Sequence, residues 1–263
     1  MIRHGDPDYE NDTLTEKGRR EAALLAKAAS GLNLGTCFVS PLGRARDTAA
    51  YCLEQRGLTA ETFDWLEEFP AKLDLNQHPE MREAYQNARM KGGMYVPRCV
   101  GDMLPAYWTA HEEYFDRKKW RESEVARCSD LVERYDEVVH AFDGFLEKHG
   151  YVREKELYRV KSASEETVTF FCHFGITCVL LSHLWNVSPF ILWHGLALAP
   201  TSVTEVVTEE RQKGIAYFRG LRLGDISHLY AGHEPASFAA RFAEVYDNMD
   251  QRHCACRDKH REK

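Results

Sequence analysis

The chain has 263 residues, enough for one large domain or two small ones, and at 44% hydrophobic and 29% charged it has an ordinary globular composition that can bury a sizeable core. Its formal net charge of −7 argues against a general nucleic-acid binder, which carries a basic balance, but leaves room for a local cationic pocket that takes an anion. No apolar run approaches the ~20 residues of a membrane span, and no charged-then-apolar leader opens the chain, so no membrane contact and a cytoplasmic location are expected.

The eight cysteines (Cys37, Cys52, Cys99, Cys128, Cys172, Cys178, Cys254 and Cys256) are scattered, most of them in or near apolar segments. They read as reduced core residues. Cys254-Ala255-Cys256 beside His253 could ligate a metal, but no second ligand pair follows at finger spacing, and no metal or other cofactor is expected.

Met1-Ile2-Arg3 reads as the end of a strand, with His4-Gly5 and the loop Asp6-Pro7-Asp8 after it. A buried strand usually has ~5–6 residues, so either the strand is short or the start is placed late. Apolar residues added upstream are expected to improve stability and activity. Gly5 is read as permitting a sharp turn.

Thr15 reads as an N-cap, Ala22, Leu25, Ala26 and Ala29 recur at helical spacing, and Gly31 stops the helix. Thr36 to Ser40 reads as a buried strand, and Pro41 as the first turn of a helix running to about Gln55. Thr62 to Leu66 reads as a third strand. This β-α-β-α-β order implies a parallel sheet covered by helices.

Residues 70–160 interrupt the rhythm, with no clear buried strand. Leu131, Tyr135, Val138, Val139, Phe142, Phe145 and Leu146 form the stripe of an amphipathic helix. The aromatic- and Met-rich stretch before it (Met90, Met94, Tyr95, Met103, Tyr107, Trp108) reads either as a lid over the strand ends or as packing. Thr167 to Cys172 reads as a fully buried strand and Ile176 to Trp185 as an apolar helix. Val203–Thr208 and Ile215–Phe218 read as an edge hairpin, 222–229 as a loop, and Ala236–Asn248 as a last helix. One domain over 1–250 is expected, with a charged, disordered tail over 251–263.

Several strand ends carry reactive groups: Arg3-His4, Glu67-Glu68 and His173. Ser40-Pro41-Leu42-Gly43-Arg44 leads from a strand into a helix, whose N-terminus favours anions. Two arginines, two histidines and a carboxylate on one rim are what phosphoryl transfer through histidine requires: a nucleophilic ring, cations around the phosphoryl oxygens and an acid for the leaving group. Successive strand residues face opposite ways, so either Glu67 or Glu68 could be that acid; Glu68 is favoured. Arg46 reads as a surface charge. His183, His194 and His228 read as packing or loop residues, and Asn11 as either a substrate contact or loop polarity.

These segments resemble the histidine phosphatase (phosphoglycerate mutase-like) superfamily. Arg3-His4-Gly5 matches its eponymous motif. Leu14-Thr15-Glu16-Lys17-Gly18, Ser40 through Ala49, and Leu66-Glu67-Glu68 are similar to the segments that follow it. His173 with Gly175 stands where its second histidine closes the site, and Pro200-Thr201-Ser202 and Asp225 through Leu229 resemble its late segments. The resemblance implies an α/β fold, a mainly parallel central sheet sandwiched by helices, with a helical insert over the active site. It implies that His4 attacks phosphorus and becomes phosphohistidine. Arg3, Arg44 and His173 hold the phosphate, Glu68 protonates the leaving oxygen and then activates water, and no metal is required.

The expected substrate is a small phosphorylated metabolite. Its preference is set by the long segment between Glu68 and His173, while acidic Asp6, Asp8 and Glu10 weigh against a highly charged polyanion. Asp6 to Asn11 replaces the Ser-x-Trp-Asn run of the mutase branch, which favours hydrolysis. A mutase-like phosphotransferase and a catalytically silent phospho-ligand module are the alternatives. The sequence carries no signal for an oligomeric state.

Overall fold

The computed structural model describes residues 1–86, 88–238, 244–248 and 251. An eight-stranded sheet forms its centre. In chain order the strands are β1 (Ile2–Arg3), β2 (Thr36–Val39), β3 (Ala60–Thr62), β4 (Tyr151–Glu154), β5 (Leu157–Val160), β6 (Val168–Cys172), β7 (Val203–Gln212) and β8 (Ile215–Asp225). Across the sheet they run β4-β5-β8-β7-β1-β6-β2-β3. The half that carries the site, β1, β6, β2 and β3, is parallel, and antiparallel β7, β8, β5 and β4 continue it. With helices on both faces, this is the expected α/β architecture.

Strand alternation divides the core. Ile2, Cys37, Val39 and Phe171 point to one face and pack with helices α1 (Glu16–Ala29) and α2 (Gly43–Leu53). Phe38, Phe170 and Cys172 point to the other, toward α3 (Leu131–Lys148), α4 (Phe174–Trp185) and α5 (Pro189–Gly195). There Phe38 and Phe170 meet Phe145 at ring-centroid distances of 5.1 and 5.2 Å, each buried ring contributing about 1.5–3 kcal/mol.

Local chemistry explains the helices. Thr15 Oγ1 accepts from Gly18 N at 3.0 Å and starts α1. The buried stripe of α3 consists of the seven residues expected to form it. Helix α4, buried along most of its length, is mostly apolar, and Asn186 in the left-handed conformation ends it.

Several expectations are corrected. The third strand covers Ala60–Thr62, and Asp64–Leu66 is a 3-10 turn that turns Leu66 into the core. Helix α2 begins at Gly43, because Leu42 is extended and keeps Pro41 outside. The interval 70–160 does contain strands: small two-residue pairs, and β4 and β5, which join the main sheet. β4 and β5 are charge-rich, with Tyr151 and Tyr158 their buried anchors, so no apolar run marks them. The late hairpin is longer than expected and lies inside the sheet, because β5 and β4 cover its outer strand. Within 222–229, residues to Asp225 belong to β8 and Ser227–Ala231 is helical.

Of the expected helix Ala236–Asn248, the described residues 236–238 and 244–248 are not helical, and the rest lie outside the described residues. So do His253, Cys254 and Cys256 and nearly all of the tail. Four of the six described thiols (Cys37, Cys52, Cys172 and Cys178) are buried, and all six are free. No described helix is long and apolar enough to cross a membrane.

Candidate active site

The carboxyl ends of β1, β6 and β2 converge. His4, directly after β1, donates its N–H to Cys172 O at 3.1 Å, and its own carbonyl accepts from Thr201 N at 3.0 Å. Gly5 N donates to Thr48 Oγ1 at 3.0 Å. Gly5 is needed for a close approach, rather than for a turn no other residue could make: a Cβ there would lie 2.8 Å from Gly18 O.

The His4 ring is fixed by Nδ1, 2.7 Å from Gly5 O. A carbonyl only accepts, so Nδ1 carries the proton and Nε2 keeps its lone pair. Burial, followed by the Arg3 charge, holds the His4 pKa well below 6.5, so the ring is neutral. His173 lies opposite, with ring centroids 5.0 Å apart. Its Nε2 is 2.7 Å from Ser40 Oγ, while its buried Nδ1 has no partner. Ser40 Oγ accepts from Leu42 N at 3.2 Å, so its hydroxyl proton can go to Nε2, leaving Nδ1–H to donate to an anion. Burial, then His4, Arg44 and Arg3, lower the His173 pKa well below its usual value.

Arg3 and Arg44 are only 7% and 8% exposed, too buried to be surface charges. Arg3 donates to Leu198 O, and its guanidinium lies 5.6 Å from the Phe174 ring centroid. The buried Nε of each arginine has no partner, and unpaired donors of this kind are costly unless a ligand meets them.

Glu68 Oε1 accepts from Phe69 N at 3.0 Å, Gly175 N at 2.8 Å and Ile176 N at 3.3 Å, the last two at the N-terminus of α4. Burial raises its pKa above 4.5, although Arg3 and these donors oppose the shift. Gly175 is small for this reason: a Cβ there would lie 2.6 Å from Glu68 Oε1. Glu67 has no such bonds; its backbone N–H closes the preceding turn. Thus His4, Arg3, His173, Arg44 and Glu68 share one rim, and their chemistry fits a bound phosphoryl group.

Other predicted residues lie elsewhere. Arg46 is exposed. Asn11 is exposed and donates to Asp8 Oδ2 at 2.8 Å. His183 meets Asp143 at 2.9 Å, and His194 stacks on Trp108. Asp6 is not a mouth charge but a buried acceptor for Thr15 and Ser237.

Sequence reasoning missed three contributors. Asp12, at φ +48°, accepts from Gly43 N and Arg44 NH1, both at 2.6 Å, and so holds Arg44 at the start of α2. Tyr9 places its ring 5.4 Å from the Arg44 guanidinium. His228 bonds Thr201 Oγ1 at 2.9 Å, behind the residue that holds His4. Asp12 had a sequence signal as a short polar residue able to adopt a left-handed backbone, and His228 lies in the late segment 225–229 but reads there as a packing or loop residue.

A separate cleft lies at the amino side of the sheet. It measures about 570 Å3 and is lined by Met1, Val168–Phe170 and Val203–Thr208. It contains none of these polar groups.

Residues 1–92 match the Histidine phosphatase superfamily (branch 1), which bears out the resemblance carried by the motifs. Comparison with curated proteins gives no match. Among solved structures, phosphoserine phosphatase from Entamoeba histolytica, in complex with 3-phosphoglyceric acid, aligns with a TM-score of 0.53 at 15% identity, covering 87% of this chain and 96% of its own. A mycobacterial glucosyl-3-phosphoglycerate phosphatase complexed with VO3 aligns with a TM-score of 0.50 at 18% identity, covering 85% and 96%. At these identities the likeness is one of fold.

Proposed function

We propose that this chain, whose first 92 residues match the histidine phosphatase superfamily, hydrolyses a small phosphomonoester through phosphohistidine on His4. The observation that carries this reading is the neutral, Nδ1-anchored His4 ring, within the field of the Arg3 and Arg44 charges and 5.0 Å from the ring of His173, whose Nδ1 has no partner.

The His4 Nε2 lone pair attacks phosphorus as the bond to the leaving oxygen breaks, and Glu68 gives that oxygen its proton. Arg3, Arg44 and His173 Nδ1–H stabilise the phosphoryl oxygens. Glu68, now ionised, takes a proton from water. The water oxygen attacks phosphorus, the P–N bond breaks, and its electrons return to His4. The raised pKa of Glu68 supports its role as the acid. One domain spanning 1–250, with the 70–160 insert covering the site and selecting substrate, completes the proposal.

Brief exposure to labelled substrate is expected to yield an acid-labile, base-stable phosphoenzyme in wild type and none in His4→Ala, with hydrolysis falling by at least about 10³-fold. Equal phosphate release by both proteins across a broad panel would sink the hydrolytic reading. Transfer to a second hydroxyl in place of phosphate release would favour the mutase-like alternative.

A further inference from the structure

Away from the phosphate pocket, three metal-ligating side chains from two segments of the insert meet near the surface. His78 caps the 3-10 turn Pro79–Arg82, Glu80 lies within that turn, and Cys128 closes the one-turn helix Glu124–Arg127. His78 Nδ1 is 3.1 Å from Glu80 Oε1, and Cys128 Sγ is 3.5 Å from the same oxygen. All three ligand atoms lie within 4.8 Å of one another.

These separations are close to those around a tetrahedral ion. Zinc bonds of about 2.0–2.1 Å to nitrogen, 2.0–2.2 Å to oxygen and 2.3 Å to sulfur require an N–O edge of about 3.4 Å and an S–O edge of about 3.6 Å. The observed N–O and S–O edges, 3.1 and 3.5 Å, fall within about 0.3 Å of both. The third edge, from His78 to Cys128, is no longer than 4.8 Å. The surroundings are acidic: Glu124 interacts with the Cys128 thiol, and Asp74 O accepts from His78 N at 3.0 Å with its carboxylate near the ring.

We propose that His78, Glu80 and Cys128 form a zinc site that staples the 3-10 turn to the helix. The donors are imidazole Nδ1, one carboxylate oxygen and one thiolate, and water takes the fourth position. A thiolate and an imidazole select zinc over magnesium or calcium, which prefer all-oxygen sets. On binding, the Cys128 S–H bond breaks, its proton passes to the buffer, and a sulfur lone pair bonds the ion with no change of oxidation state. The turn carries Met81 and the helix carries Val125, both fully buried, so the ion would tie two anchored segments together. The site does not depend on the phosphatase reading.

The test uses the full chain with Cys254→Ser and Cys256→Ser as background, so that the tail thiols cannot compete. After chelator treatment, zinc is titrated against a chromophoric competitor. One equivalent is expected to bind. Cys128→Ser and His78→Ala should each weaken binding at least tenfold, and zinc should raise the Tm of the background but not of Cys128→Ser. Cobalt should give a thiolate charge-transfer band that Cys128→Ser lacks. Absence of binding at micromolar zinc, unchanged affinity in both variants, or loss of the ion in His4→Ala instead would overturn the proposal.

Discussion

His4 is buried and Glu68 partly buried in the same pocket, and desolvation moves their pKa values in opposite directions. A neutral imidazole exists only above the lowered His4 pKa, and a protonated acid only below the raised Glu68 pKa. For substrates with poor leaving groups, kcat/KM is therefore expected to fall as pH rises through the Glu68 value. Glu68→Gln should remove that alkaline limb and lower kcat/KM for these substrates by about 10²–10⁴-fold, and for good leaving groups far less. A pH–rate profile of both proteins checks this; if Glu67→Gln has the effect instead, the acid is misassigned.

Glu21 is a second buried carboxyl, fully enclosed, accepting from Asp6 N at 2.9 Å beneath the loop that follows His4. Burial pushes its pKa up to about 7 from 4.5. The folded state thus binds this proton more tightly than the unfolded chain does. The resulting stabilisation is fully present below about 4.5 and is lost as pH rises through about 7, on the order of 3 kcal/mol at most. Glu21→Gln keeps a neutral amide there, so thermal melts should show it more stable than wild type at pH 8 by several degrees, with the gap closing near pH 5.

Among the elements, β1 is only two residues long and leads directly into His4. On the sides facing β1, β6 pairs only at Phe171 and Cys172, and β7 only at Val203. The Met1 ammonium donates to Thr204 O at 2.8 Å, and burial lowers its pKa. The 570 Å3 cleft at this point is lined by Met1, Val168–Phe170 and Val203–Thr208. Four alternating apolar residues fused ahead of Met1 are expected to pair on both sides and replace the buried charge with a peptide bond. Tm should rise by at least about 2–4 °C, the shift for 1 kcal/mol in a chain of this size. A Gly-Ser extension of equal length is the control, and an equal rise with both would mean that pairing is not the cause.

At the scale of the whole molecule, the pocket joins residues 3, 4, 44, 68 and 173, so a ligand there ties together segments distant in the chain. Inorganic phosphate is expected to stabilise the fold globally, by about 2.7 kcal/mol at a hundred times its Kd. Arg44→Ala should lose most of that Tm shift, and an undiminished shift would place the phosphate elsewhere.

Much of this was legible from the chain alone, because strand ends, caps and helical stripes are local patterns. Arg3-His4 and His173 stand at strand ends that the chain itself marks, and the stripe of α3 is visible in its spacing, whereas Glu67-Glu68 follows a 3-10 turn where a strand was expected and α2 begins two residues after Pro41. The composition and element order also determined an α/β fold. Only the tertiary structure decided which of two adjacent carboxylates meets the N-terminus of α4, that Asp12 holds Arg44, and that His228 supports His4 through Thr201. It also brought the charge-rich strands β4 and β5 into the sheet. The physical reason is range: hydrophobic period and capping act over a few residues, whereas a hydrogen bond between residues 68 and 175, or 201 and 228, exists only once packing has closed the chain between them.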